Sequence, residues 1–118
     1  MEINHAVAAL AALAQDSRLR IYRALVEAGP TGLAAGEIGA ALGVAPATLS
    51  FHLKELFHAG LVTSRQAGRF IYYSANYARM NEVLAYLTEN CCASDAVSCG
   101  PRACRPRTRR ISRTPRKE

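Results

Sequence analysis

The stretch 35–62, reading AGEIGAALGVAPATLSFHLKELFHAGLV, constrains this chain more than any other. Ile38, Ala41 and Leu42 sit at helical spacing, and Gly43 then interrupts the pattern with a residue that tolerates the left-handed conformation of a tight turn. Pro46 follows near the start of a second periodic run, where its missing N–H costs nothing. Leu49, Leu53, Leu56 and Phe57 recur at i, i+4, i+7 and i+8, which predicts one buried stripe along a helix. Thr48, Ser50, His52, Lys54 and Glu55 fall on the other faces, and Gly60 closes the helix ahead of Leu61 and Val62. Helix, glycine turn, helix is the layout of a DNA-binding helix-turn-helix. By itself the stretch also fits an ordinary helical hairpin.

What comes next separates the two. Residues 61–66 alternate and are rich in β-formers, Ala67-Gly68 is a turn signal, and residues 69–74 (RFIYYS) read as a second strand. A β-hairpin directly after a second helix is a wing, and a bare helical hairpin has no reason to carry one. Before the motif, residues 4–14 (NHAVAALAALA) predict a short apolar helix, expected to pack on a second subunit rather than within its own chain. Asp16 or Ser17 can cap another helix running to about Ala28. Leu19, Tyr22, Leu25 and Val26 are expected on its inner face, with Arg18, Arg20 and Arg23 outward. Gly29-Pro30-Thr31-Gly32 stops it. A last helix is expected over residues 77–90, with Met80, Val83, Leu84 and Leu87 along one side.

Charge divides the chain. The net +6 of the 118 residues comes entirely from the last 28, since residues 1–90 carry seven Lys/Arg against seven acids and residues 91–118 carry eight against two. The basic balance therefore says nothing about the body. The run RPRTRRISRTPRKE has no apolar periodicity and predicts a disordered tail, whose mobile cations would add salt-dependent, sequence-blind affinity for a duplex. The expected division is a folded domain over residues 1–92 and a flexible Cys/Arg-rich tail over 93–118. No run of 18 apolar residues and no basic n-region occurs, so the expectation is a cytoplasmic protein without membrane contact. There is no Ser/His/Asp set, phosphate loop or C-x-x-C motif, and His5, His52 and His58 are scattered; neither catalysis nor an organic cofactor is expected.

The segments LAALAQDSRLRIYRALVEAG, LSFHLKELFHAGLV and RQAGRFIYYS together resemble the arsenical-resistance repressor (ArsR) family, over about residues 4–92, with S-x-H-L-x-x-L-x-x-A-G-L-V at residues 50–62 the specific run. The resemblance implies a mainly α winged helix-turn-helix with a two-stranded β-wing. It also implies a homodimer, a double-stranded operator, and a repressor that leaves that operator when an inducer binds. Carried over, the groove-facing positions are Ala47, Thr48, Ser50 and Phe51, flanked by His52 and Lys54, with Arg65, Gln66 and Arg69 of the wing against phosphates or the minor groove. For His52, a purely structural role in helix packing stands equally beside a DNA contact. The family commonly has Gln where Pro46 stands. No Arg, Asn or Gln on this helix can make a bidentate base contact, so part of the sequence preference is expected to come from DNA shape.

Two of the family's inducer positions hold no suitable ligand in this sequence. Residues 35–42 contain no cysteine, and residues 77–90 contain Glu82 and Glu89 but no histidine. All four cysteines, Cys91, Cys92, Cys99 and Cys104, lie in the last quarter. Clustered cysteines in a reducing compartment suggest metal or redox chemistry, and an all-sulfur set selects soft, thiophilic centres. AYLTENCC at residues 85–92 resembles a subgroup of arsenic sensors with a vicinal pair there and a third cysteine shortly after. That pattern implies Cys91, Cys92 and Cys99 as ligands of trivalent arsenic or antimony, with Cys104 in reserve. A four-cysteine zinc site, which adjacent cysteines suit poorly, a thiol redox or sulfide sensor, and a constitutive basic DNA-binding protein are the other readings.

Overall fold

The computed structural model describes residues 1–91. Within them lie α1 (Ile3–Leu13), α2 (Asp16–Ala28), β1 (Leu33–Ala34), α3 (Ala35–Leu42), α4 (Pro46–His58), β2 (Val62–Ala67), β3 (Phe70–Ala75) and α5 (Tyr77–Thr88). Residues 1–83 form one compact unit, and the chain from Leu84 onward belongs to another; the core described here is that of the first. The expected boundary after residue 92 and the tail beyond it lie outside the described residues.

The fold is mainly helical with a small antiparallel sheet ordered β1-β3-β2. Periodicity foresaw the helices to within a residue or two. It did not foresee β1, whose two residues pair Leu33 with Tyr73 and Ala34 with Tyr72. So short a strand has no alternation to detect, yet it makes the wing the outer part of a three-stranded sheet rather than a free hairpin. Glu37 helps start α3 by accepting a hydrogen bond from the Ala34 amide at 2.8 Å. Gly43 ends it in the left-handed conformation, φ 68°, and its N–H is satisfied by the Gly39 carbonyl at 2.8 Å.

The core gathers Ala9 and Ala12 of α1, Ile21, Tyr22 and Leu25 of α2, Ile38 of α3, Leu49, Leu53 and Leu56 of α4, then Leu61, Val62, Ala75 and Val83. Several expected faces are corrected by it. On α2 the third inner residue is Ile21, while Leu19 and Val26 are exposed, because the helix turns a narrower stripe inward than its composition suggests. Gln15, not Asp16 or Ser17, caps it, accepting from the Arg18 amide at 2.9 Å. On α4 the stripe ends at Leu56, and Phe57 is half exposed. On α5 Val83 is buried, whereas Leu84 and Leu87 are exposed. Helix α1 does pack within its own chain, through Ala6, Ala9 and Ala12, but Ile3, Val7 and Leu10 remain exposed at one-turn spacing.

Tyr22 is the one core residue with an uncompensated polar atom: its buried hydroxyl finds no hydrogen-bond partner among the described residues. Burial, with Tyr77 adding to it, raises its pKa above the ordinary phenol value, so the ring is neutral across the working range of pH. An unsatisfied buried hydroxyl costs stability that removal recovers. Tyr22→Phe should therefore unfold at the same or a higher urea midpoint than the wild type, whereas Leu56→Ala should lose about 2–5 kcal/mol through the cavity it leaves.

Candidate nucleic-acid interface

Helix α4 divides cleanly into two sides. Leu49, His52, Leu53 and Leu56 are buried, and Ala47, Thr48, Ser50, Phe51 and Lys54 are exposed. The exposed set follows i, i+1, i+3, i+4, i+7, one continuous face of a helix. Pro46 sits in the first turn, so the N-terminal half of this face is presented directly after the turn from α3. The sequence-expected helix contacts thus share one surface, with a single exception.

That exception is His52. Its ring is only 7% exposed, and its Nδ1 lies 3.5 Å from an Arg18 guanidinium nitrogen. Arg18 is itself turned inward, correcting the outward placement expected of it, because its Nε donates to the Ala12 carbonyl at 2.6 Å. One guanidinium therefore joins the end of α1, the start of α2 and the buried side of α4. Arg20 and Arg23 do face outward, each in an exposed ion pair with Asp16 and Glu27 respectively; such pairs contribute little.

A second tie holds the other end of α4. The Asn76 side-chain amide donates to the Gly60 carbonyl at 2.9 Å, while its Oδ1 accepts from the Arg79 amide at 3.2 Å and so caps α5. The Asn76 N–H also reaches the Leu61 carbonyl at 2.8 Å. Neither Arg18 nor Asn76 stood out in the sequence, since each acts through backbone carbonyls distant along the chain.

The wing pairs Thr63 with Ser74, Arg65 with Tyr72 and Ala67 with Phe70 on one face, and Ser64 with Tyr73 and Gln66 with Ile71 on the other. Arg65 and Gln66 consequently point to opposite sides. Arg65 lies over the Tyr72 ring at 4.8 Å and donates to the Thr31 carbonyl at 3.0 Å, which draws its guanidinium back toward the base of the hairpin. Gln66 reaches the Gly68 carbonyl at 3.4 Å. Arg69 occupies the exposed turn at the tip.

Between α3 and α4 lies a cleft of about 390 Å³, lined by Ala35, Gly36, Gly39, Ala40, Val44, Pro46, Leu49 and Ser50. The lining is small and apolar apart from Ser50. Among the described residues that line it there is no thiol and no charged side chain. Of the cysteines, Cys91 is described, half-buried just past α5, its N–H donating to the Thr88 carbonyl at 3.0 Å; Cys92, Cys99 and Cys104 lie outside the described residues.

A helix-turn-helix domain model matches residues 13–65. The HTH-type transcriptional regulator YceK of Bacillus subtilis (strain 168) is 40% identical over 63 residues, which span 53% of this chain and 62% of YceK. An ArsR-like transcriptional regulator from Rhodococcus sp. RHA1 superposes with a TM-score of 0.67 at 29% identity, over 78% of this chain and 83% of that one. HlyU from Vibrio cholerae N16961 is 33% identical, with a TM-score of 0.58, over 74% of this chain and 97% of its own. The chain belongs to the ArsR-type winged helix-turn-helix regulators. As an ArsR-type regulator it carries its helix-turn-helix in α3 and α4 and its wing in β2 and β3, with the exposed side of α4 as the face such a motif offers to a major groove.

Ser50 and Phe51 stand on that face without contributing to the core. Ser50→Ala and Phe51→Ala should each lower the preference for a selected duplex over random DNA by about 1 kcal/mol while leaving thermal unfolding unchanged, as competition binding and a melting curve would show. Equal loss on both DNAs would remove these two from base contact.

Proposed function

We propose that this ArsR-type regulator is a homodimeric repressor that binds a double-stranded operator and leaves it when trivalent arsenic or antimony is captured by cysteine thiolates. The observation that carries the DNA half is the undivided exposed face of α4, backed by a buried face that fixes its orientation. Ala47, Thr48, Ser50 and Phe51 would meet base edges, with Lys54 at the flank on phosphates and Arg69 at the wing tip on phosphates or in the minor groove. Thymine methyl groups suit Ala47 and Phe51, while Ser50 and Thr48 are the short polar contacts.

Dimerisation is supported by α1. Ile3, Val7 and Leu10 form an exposed apolar stripe, and each such side chain gains about 1.5–3 kcal/mol when fully buried. A second copy meeting α1 would cover the stripe and set the separation of two α4 helices.

The inducer half rests on the chemistry of the donor set. Cys91, Cys92, Cys99 and Cys104 supply sulfur alone, and thiolates favour thiophilic centres over hard cations. Trivalent arsenic takes three sulfurs, which Cys91, Cys92 and Cys99 would furnish, with Cys104 as the substitute third. Bound arsenic would supply three As–S bonds that fix the chain after α5. The first turn of α5 is tied through Asn76 to Gly60, at the end of α4, so a change imposed on α5 has a direct route to the reading helix. A ligand shifts such an equilibrium only by its differential affinity for the two states, which requires the DNA-free dimer to hold the thiolates more favourably.

Arsenite titration of the protein–operator complex tests both halves together. Wild type should be released, Cys91→Ser and Cys92→Ser should bind the operator normally yet resist release, Cys99→Ser should release poorly, and Cys104→Ser should behave as wild type. Release by a disulfide-forming oxidant but not by arsenite would replace the arsenic reading with a redox one. Operator binding indifferent to both would leave a constitutive DNA-binding protein.

A further inference from the structure

The tip of the wing carries an aromatic ring that the described residues leave uncovered. Phe70 is the first residue of β3 and is 58% exposed. Its strand partner across the hairpin is Ala67, whose methyl group cannot shield it. The turn between them has two residues, Gly68 and Arg69, with Gly68 at φ 64°. That sign of φ suits the tight turns whose twist matches paired strands, so Phe70 is placed by a defined hairpin rather than by a loose loop.

Behind the ring stands a row of contacts that gives it a base. The Phe70 and Tyr72 ring centroids are 6.4 Å apart and tilted by 59°. Tyr72 in turn lies under the Arg65 guanidinium, which is anchored to the Thr31 carbonyl. The outer face of the wing is therefore a braced aromatic ladder ending in an unshielded phenyl group, with the Arg69 cation immediately beside it.

We propose that Phe70 is a specificity-determining wedge, which enters the minor groove beside the α4 contact and selects duplexes with an easily unstacked pyrimidine–purine step at that place. The proposal rests on the reading that the exposed side of α4 meets duplex DNA. A phenyl ring has no hydrogen-bonding group and cannot read a base edge. It can insert partly between base pairs, as apolar wedges do in minor-groove binders, and the unstacking cost is lowest at TA and CA/TG steps. Arg69 fits the negative potential of the same groove, which favours DNA over another apolar surface as the occupant of this face. The device also supplies what α4 lacks, since its exposed face offers no Arg, Asn or Gln for bidentate base recognition.

The test is selection from a random duplex pool by the full chain and by its Phe70→Ala and Phe70→Leu variants, each checked for an unchanged melting curve. The wild-type pool should be enriched in a pyrimidine–purine step at a fixed distance outside the bases set by α4. Phe70→Ala should lose that enrichment, roughly tenfold in relative affinity, while keeping the α4-determined bases, and Phe70→Leu should retain part of it. Wild type should bend the selected duplex in a circular-permutation gel, and Phe70→Ala should bend it less. An unchanged preference in Phe70→Ala, or equal weakening on every duplex, overturns the wedge. A change in the molar mass of the DNA-free protein on Phe70→Ala would assign the ring to a second copy instead. Failure of wild type to enrich any duplex would overturn the DNA reading itself, and the wedge with it.

Discussion

Burial of Leu49, Leu53 and Leu56 against Ile21, Leu25 and Ile38 is the interaction on which the other features depend. Leu56, Ile21, Leu25 and Ile38 are fully buried, so α4 has one rotational setting in which its apolar stripe is dry. That setting alone decides that Ala47, Ser50, Phe51 and Lys54 face outward together. A helix rotated by one residue would trade Leu53 for Lys54 inside, burying a charge at a cost no partner in this core offsets. The outward face is thus specified by the inward one, and the side chains on it are left free to vary without endangering the fold.

Two polar ties then fix where α4 sits lengthwise. Arg18 joins the Ala12 carbonyl to the ring of His52 on the buried side, and Asn76 joins Gly60 to the first turn of α5. Hydrogen bonds of this kind are individually modest, but they connect α4 to the two helices that flank the motif in sequence. The leucine stripe sets the rotation of α4, and the polar end-ties set its position along its own axis. The hydroxyl of Tyr22, buried among the same residues, marks the place where the core holds a polar atom with no partner among the described residues.

Most of the fold was legible in the sequence because its signals are local: period 3.6 in α4, Gly43 and Pro46 on either side of the turn, Gly68 at the wing. What was not legible is tertiary. Periodicity nominated Phe57 as a core residue and His52 as a surface one, and the structure exchanges them, because Arg18 provides a partner for a buried imidazole while the described residues leave Phe57 half exposed. Leu19 and Ile21 exchange places on α2 for a similar reason, both being apolar and two residues apart, so that only the neighbouring helices decide between them. For the site, the α4 set was readable from the alternation of apolar and polar residues. Arg65 was readable as a basic wing residue, but its engagement with Thr31 and Tyr72 was not. Phe70 was hidden inside an ordinary strand pattern, which carries no sign of how exposed its ring is.

In the proposed complex, two copies of this chain present α4 to one face of a duplex with the wings outside. A hydroxyl-radical footprint on a selected operator tests it most directly. Two protected segments are expected, with centres one helical turn apart or a multiple of it, about 10–10.5 bp per turn. Further protection should flank each segment on its outer side, where the wing meets the minor groove. A single short protected segment, or protection spread evenly along the DNA without helical phase, would contradict it.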